Sequence, residues 1–333
     1  ISRYSYSTSS WLTDIDYNNN RIPSDRIWWD TLEYGNGNLL VGHAIGNSGQ
    51  NIVGGGLSII PITGGAAGTA NVVNTGSAIT SLQATSTKWL IGQAGYGSGY
   101  SHVDYLDQNG INPEFILPGL VSGLITEIAG NSTHVWAATT SRSFQNNGVQ
   151  TSSGILQGTR LANNSVEWTN GWSLPVPTEI RSMDLIANTL YLATSSAGLM
   201  TLDLVSGAFA VVPNSIHGFM DGTIIVGDEI FIGLQGTSAS SAGIHAYNLS
   251  SGIFTHGKLL AGLPSNTINA FETTGGITYI ATNVGIGRYD ESSAEWLNPI
   301  STANGLPSQI VEDLLLDPAD SNLIWIATPA GLG

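Results

Sequence analysis

Along this chain, apolar and β-branched residues arrive in short runs, broken every few positions by Gly, Asn, Asp or Ser. The clearest stretch is 262–299, GLPSNTINAFETTGGITYIATNVGIGRYDESSAEWLNP. It predicts four strands, Ile268–Glu272, Ile277–Thr282, Gly285–Asp290 and Glu295–Asn298, with a tight turn at Gly275-Gly276 between the first two. The second run is apolar nearly throughout, the pattern of a strand buried on both faces. Ile27–Leu32 and Ile180–Ile186 read as helical turns in isolation, but their place in the larger pattern makes them strands.

That larger pattern is a repeat. A branched or aromatic run ending in a small residue recurs as LLVG at Gly42, WLIG at Gly92, VWAA at Ala138, LYLA at Ala193, IFIG at Gly233, TYIA at Ala281 and IWIA at Ala327. Seven copies about 40–55 residues apart match the four-stranded blade of a β-propeller. The small residue is expected to let backbones converge. The ends of the chain complete the count. ISRYSYSTSSW at 1–11 matches IGRYDESSAEW at 286–296 in length and register, with Arg-Tyr and Trp in the same places. The expectation is an all-β fold: one seven-bladed propeller closed by a blade built from both termini, two strands from each. Residues 1–21 would complete the last blade and 309–333 would supply its first two strands. Between them lie six blades, 22–75, 76–123, 124–178, 179–218, 219–266 and 267–308. A shared blade leaves no open sheet edge at the seam.

The module GLPSNTINAF…ITYIATNVGIGRYD resembles the repeat called the two-component regulator propeller. It joins a Gly-Leu-Pro-Ser-Asn opening, a Tyr-Ile-Ala-Thr second strand and a Gly-Ile-x-x-Tyr-Asp third strand. Blades six and seven carry the pattern well and blade four in part; blades one, two, three and five diverge. The resemblance implies a propeller lying outside the cytoplasm, of the kind used as an oligosaccharide-sensing domain or in other secreted proteins.

Composition narrows the function classes. Only 10% of the residues are charged, well below the usual quarter, and 42 Gly fill much of the difference. With 24 acids against 9 bases, the net charge is −15, which disfavours nucleic acid and anionic lipid as partners. No apolar run reaches the roughly 18 residues a spanning helix needs. The chain has no initiator Met or signal peptide, which fits a processed or excised segment. There is no Cys, hence no disulfide, thiolate metal site or Cys nucleophile. Low Lys content, abundant neutral polar residues and three sequons (Asn131, Asn163, Asn248) fit an extracellular, cell-surface or periplasmic protein.

Candidate chemistry lies in the connections. Four of the expected loops between second and third strands are long (45–56, 94–100, 139–153 and 235–242), and insertions on one rim mark a binding face. Tyr96, Tyr100, Arg142 and Phe144 lie there, residues suited to stacking on sugars or anchoring a partner protein. Connections from fourth to first strands add Asp25, Arg26, Glu179, Arg181, His217, Asn266 and Gln309 around the channel mouth. Asp14, Asp16, Asn18, Asn20 and Asp25 space oxygen donors as in a calcium loop, although Asn19 stands where such loops carry Gly. Asp184, Asp228 and Glu272 align as three first-strand carboxylates near the axis, able to hold a cation or hydrate the tunnel. The six His (43, 102, 134, 217, 245, 256) show no metal-ligand spacing. The residues favour a non-enzymatic recognition or structural module, with a carbohydrate or surface protein as ligand. The alternative is a secreted polysaccharide lyase or glycoside hydrolase working at the channel mouth, with His217 or Glu179 as base.

Overall fold

A computed structural model describes residues 2–5, 10–12, 26–46, 52–63, 66–75, 78–84, 88–94, 103–107, 110–113, 124–143, 149–162, 166–235, 242–255, 262–317, 320 and 323–329. Among them the strands form seven sheets, and the one short helix is a 3-10 turn at Thr302–Asn304. The protein is all-β, with the four-stranded blades of a β-propeller. Each of the seven small-residue runs falls in a second strand, as the spacing predicts. Blade one carries more than the expected four strands: Asn71–Thr75 pairs with its third strand, Ile52–Thr63.

The chain divides into two compact units. One comprises residues 1–22, 64–67 and 184–333 and contains the sheet built from both termini. In that sheet Ser2–Ser5 runs antiparallel to Leu323–Ala327, with Ser10–Leu12 on one side and Asp313–Leu316 on the other. The register confirms the expected match between the N-terminus and blade six: Tyr4 faces Trp11 just as Tyr289 faces Trp296. The core lies between successive sheets. Along Ile277–Thr282, Tyr279 and Ala281 pack towards blade seven with Leu314, Ile324 and Ile326. Ile280 points the other way, joining Phe231, Ile244 and Ile268 of blades five and six. Burial on both faces is why this strand reads as a continuous apolar run.

The second unit comprises residues 23–63 and 68–183 and holds the strands of blades one to three apart from Ala66–Ala67. Leu40, Leu57, Ile79, Leu82 and Ile91 bridge blades one and two, while Leu90, Ile125, Ile128 and Ala137 bridge blades two and three.

The Gly that closes the apolar run in blades one, two and five has a specific job. A Cβ placed on Gly42 would lie 2.5 Å from Cγ2 of Ile79; on Gly92, 2.8 Å from Cγ2 of Ile125; on Gly233, 2.5 Å from Cγ2 of Ile268. Each Ile opens the first strand of the next blade. The strand end is small so that a β-branched side chain of its neighbour can seat against the backbone.

The first strands share a second feature. Their pairing with the second strands skips one residue: Thr80, Thr126, Asp221 and Asn269 in blades two, three, five and six. These are β-bulges, which add a residue and re-aim a side chain. Each of these four skipped residues is polar.

Gly233→Ala is expected to lower stability by about 1–3 kcal/mol, the usual cost of overpacking a filled site. The readout is the denaturant midpoint. Trimming the clashing partner with Ile268→Ala in the same chain should recover part of the loss. An unchanged midpoint in Gly233→Ala would refute this packing account.

Candidate functional site

The connections leading into first strands were expected to offer a polar ring. Of its members, Glu179 and Arg181 are brought together: Nη1 of Arg181 donates to Oε1 of Glu179 at 2.9 Å. Glu179 immediately precedes the strand Ile180–Ile186 and its side chain is 5% exposed, against 26% for Arg181. A carboxylate so enclosed needs a paired cation, and the i, i+2 spacing along extended chain supplies one on the same side. The pair presents a fixed, partly exposed guanidinium. His217, Asn266 and Gln309 are exposed on their own connections. Arg26 lies on the strand Arg26–Gly35, but its side chain is outside the described residues, as is all of Asp25.

The turns between second and third strands differ between blades. In blade six the Thr282 hydroxyl accepts from the Val284 N–H at 3.1 Å and donates to the Gly285 carbonyl at 2.7 Å. In blade four Thr194 does the same with Ala197 and Gly198, at 3.0 and 2.6 Å. This explains the Thr that follows Ile-Ala and Leu-Ala: it closes a minimal turn. Blades one and three depart from expectation. The 45–56 and 139–153 segments were read as loops, yet much of each is ladder. In blade three Thr139 pairs with Gly154 and the ladder runs out to Ser143 against Val149. In blade one it reaches Gly46 against Ile52. Thr140 and Ser153, both buried, hydrogen-bond through their hydroxyls at 3.1 Å near the base of the blade-three arm. Arg142 lies on the arm, opposite Gln150. Its side chain, together with Tyr96, Tyr100 and Phe144, lies outside the described residues.

The proposed calcium-loop residues Asp14, Asp16, Asn18, Asn20 and Asp25 also lie outside them. Among the described residues no three His, Cys, Asp or Glu gather closely enough to hold a metal ion. His43 is buried with Nε2 at 3.0 Å from the Ser58 hydroxyl, His134 stacks on Trp136, and His245 stacks on Phe254. His102 and His256 lie outside the described residues.

The expected trio of first-strand carboxylates needs correcting. Asp228 is an exposed residue of the turn before its second strand. Pairing with the second strands puts Ile224, facing Phe231, where Glu272 faces Tyr279. Glu33, facing Leu40, holds that position in blade one. These acids do not line a tunnel as a cation site. They reach across to the next blade. Glu33 Oε1 accepts from the Ala84 N–H at 2.9 Å, and Glu272 Oε2 accepts from the Leu316 N–H at 3.3 Å. Asp184 takes a hydrogen bond from the Thr223 side chain. Two of the bulged residues bridge in the same direction, whereas the Thr126 hydroxyl is buried without a hydrogen-bond partner. Thr80 donates to the Ile125 carbonyl at 2.6 Å and Asn269 to the Val311 carbonyl at 2.7 Å. Ser81 accepts from the Ile128 N–H at 2.9 Å. Sequence reasoning missed this set; the signal available was a polar residue in an otherwise apolar first strand.

Burial pushes the Asp184 carboxyl up, against the opposing hydrogen bond from Thr223. It also pushes Glu272 up, against hydrogen bonds from the Thr273 and Leu316 N–H groups.

No family model matches this chain, and no curated protein matches it. Solved structures do. The extracellular domain of a protein described as a hybrid two-component system from B. thetaiotaomicron aligns at a TM-score of 0.64 and 14% identity, over 96% of this chain and 39% of that one. A second structure of that domain, described as from a one-component system, gives 0.62 at 14% identity, over 94% of this chain and 38% of its own. The computationally designed Ika8 protein gives 0.59 at 13% identity, over 91% and 81%. This chain therefore spans about two-fifths of the sensor domains it resembles. At such identities the likeness is one of fold. No helix among the described residues is long and apolar enough to cross a membrane.

The native state holds the Asp184 proton more tightly than the unfolded chain does. Its contribution to stability therefore grows as pH falls through the raised folded value and is lost as pH rises. Asp184→Asn should match the parent near the ordinary aspartate value of about 3.9 and gain on it as pH rises towards neutrality. Urea midpoints across that range are the measurement. Parallel curves for the two proteins would contradict the assignment.

Proposed function

We propose that this protein is a non-enzymatic extracellular recognition module that binds a carbohydrate or a partner protein at the rim carrying the second-to-third-strand connections. The observation that carries the reading is a contrast among these connections. Blades four and six have Thr-locked turns, whereas the hairpins of blades one and three are built out as paired arms. A paired arm holds its tip at less entropic cost than a free loop, which favours binding by pre-organised contacts. Tyr96, Tyr100, Arg142 and Phe144 belong to these connections and supply flat aromatic surface and a cation. Arg26, the Glu179–Arg181 pair and His217 are further candidate contacts on the fourth-to-first connections.

The buried carboxylates support binding over catalysis. Glu33 and Glu272 spend their oxygens on the next blade's N–H groups, and Glu179 is held by Arg181. Likeness in fold to extracellular sensor domains of a signalling protein supports an extracytoplasmic setting and a sensing role.

The purified chain is expected to bind members of a glycan or surface-protein panel without releasing reducing ends or unsaturated sugars. Tyr96→Ala or Tyr100→Ala should weaken that binding by about 1–2 kcal/mol, roughly five- to thirtyfold, the size of an aromatic anchor, with unfolding midpoints unchanged. Turnover of any bound polysaccharide that disappears in Glu179→Gln or His217→Ala would overturn the reading in favour of an enzyme.

A further inference from the structure

Five Asn-Gly pairs occur in the chain, beginning at Asn36, Asn109, Asn147, Asn170 and Asn304. Such pairs differ in reactivity according to how the fold holds the side-chain amide carbon and the following backbone nitrogen. Two of the described ones are held in opposite ways. At Asn304 the Oδ1 atom turns back to accept from the Ser301 N–H at 3.0 Å and the Ser301 hydroxyl at 3.1 Å. The Gly305 N–H is tied separately, to the Thr302 carbonyl at 3.1 Å. The electrophile and the nucleophile are thus drawn apart.

At Asn170 they are drawn together. The Gly171 N–H donates to Oδ1 of Asn170 at 2.9 Å. That contact folds the side chain over the peptide nitrogen that follows it and polarises the carbonyl the nitrogen would attack. Both residues are exposed, so solvent can take the proton and admit water. Gly171 adds no Cβ to hinder the approach. The pair lies on the outer strand of blade three, Val166–Ser173, beside a break in register between Gln157 and Gly158 that leaves Thr169 unpaired. A strand already irregular here can accommodate a ring closing in its backbone.

We propose that Asn170-Gly171 is a built-in modification site at which the chain deamidates itself, with water as the only co-reactant. The Gly171 backbone nitrogen loses its proton to solvent and bonds to Cγ of Asn170. The Cγ–Nδ2 bond breaks and ammonia leaves with that proton count restored. A five-membered succinimide results. Water then opens it at either carbonyl, giving an aspartyl or isoaspartyl residue at position 170. No oxidation or reduction occurs. The outer strand of the blade that bears the longest arm acquires a negative charge, and in the isoaspartyl product one extra backbone carbon.

The test is a peptide map by mass spectrometry of the intact chain incubated at mildly alkaline pH, read for the single-unit mass gain and the isoaspartyl linkage. Position 170 should convert about tenfold or more faster than position 304 in the folded protein, as expected when a reacting pair is pre-positioned. The two rates should converge when the chain is unfolded in urea. Gly171→Ala should slow the reaction, and Asn170→Gln should abolish it, at unchanged unfolding midpoints. Equal rates at 170 and 304 in the folded state, or a slower rate at 170 folded than unfolded, would overturn the proposal.

Discussion

The first strand of each blade is an edge strand, and an edge strand leaves backbone N–H and C=O groups that must find partners. In blades two, three and seven, side chains of the preceding blade supply some of them. Thr80 donates to a carbonyl of the next blade's first strand and Asn269 to the Val311 carbonyl just before one; Glu33, Ser81 and Glu272 accept from first-strand N–H groups. The polar character of these positions follows directly. So does the bulge: without an extra residue at 80 or 269, the side chain would follow the strict alternation of the strand and point elsewhere.

Apolar packing runs in the same direction and through the same strand. Ile79, Ile125 and Ile268 each insert against a Gly at the end of the preceding second strand. The neighbour of the inserted Ile is the bulged polar residue. One short segment therefore carries both the hydrophobic knob that sets the spacing between blades and the hydrogen bond that fixes their register. The cost of leaving either unmade is separate. A Cβ on the Gly displaces the knob, whereas loss of the polar side chain leaves a carbonyl or N–H unsatisfied in a buried seam.

This explains which parts of the fold could be read from residues alone. The second strands announced themselves because burial on both faces demands apolar runs and the knob demands a small terminus. Tyr4 opposite Trp11 was legible because 1–11 repeats the side-chain pattern of 286–296. The bulge was not legible: it adds one residue without a change in composition. Asp228 was misplaced separately: it lies four residues beyond Ile224, in the turn before the second strand. The arm of blade three was hidden for a different reason. A hairpin that runs beyond the core has no apolar face, so Thr139–Ser143 and Val149–Ser153 carry the composition of a loop while pairing as strands. The candidate binding side chains were inferred from where the long connections fall.

The buried acids show why a first strand tolerates a charge at all. Glu272 uses both oxygens as acceptors, Oε1 from Thr273 at 3.1 Å and Oε2 from Leu316 at 3.3 Å. A Gln there would turn one amide group, a donor, against an N–H, so only a carboxylate satisfies both partners. The desolvation that raises its proton affinity is the consequence of that double duty. Asp184 stands at the same place in its strand but uses its acceptors less fully: Oδ2 is buried with no hydrogen-bond partner. There an amide loses nothing on the side facing Thr223 and removes a charge held out of water. Two carboxylates equivalent in the repeat therefore differ in what they require of their neighbours, and the difference rests on the Thr273 N–H, a second donor that Glu272 finds on its own strand.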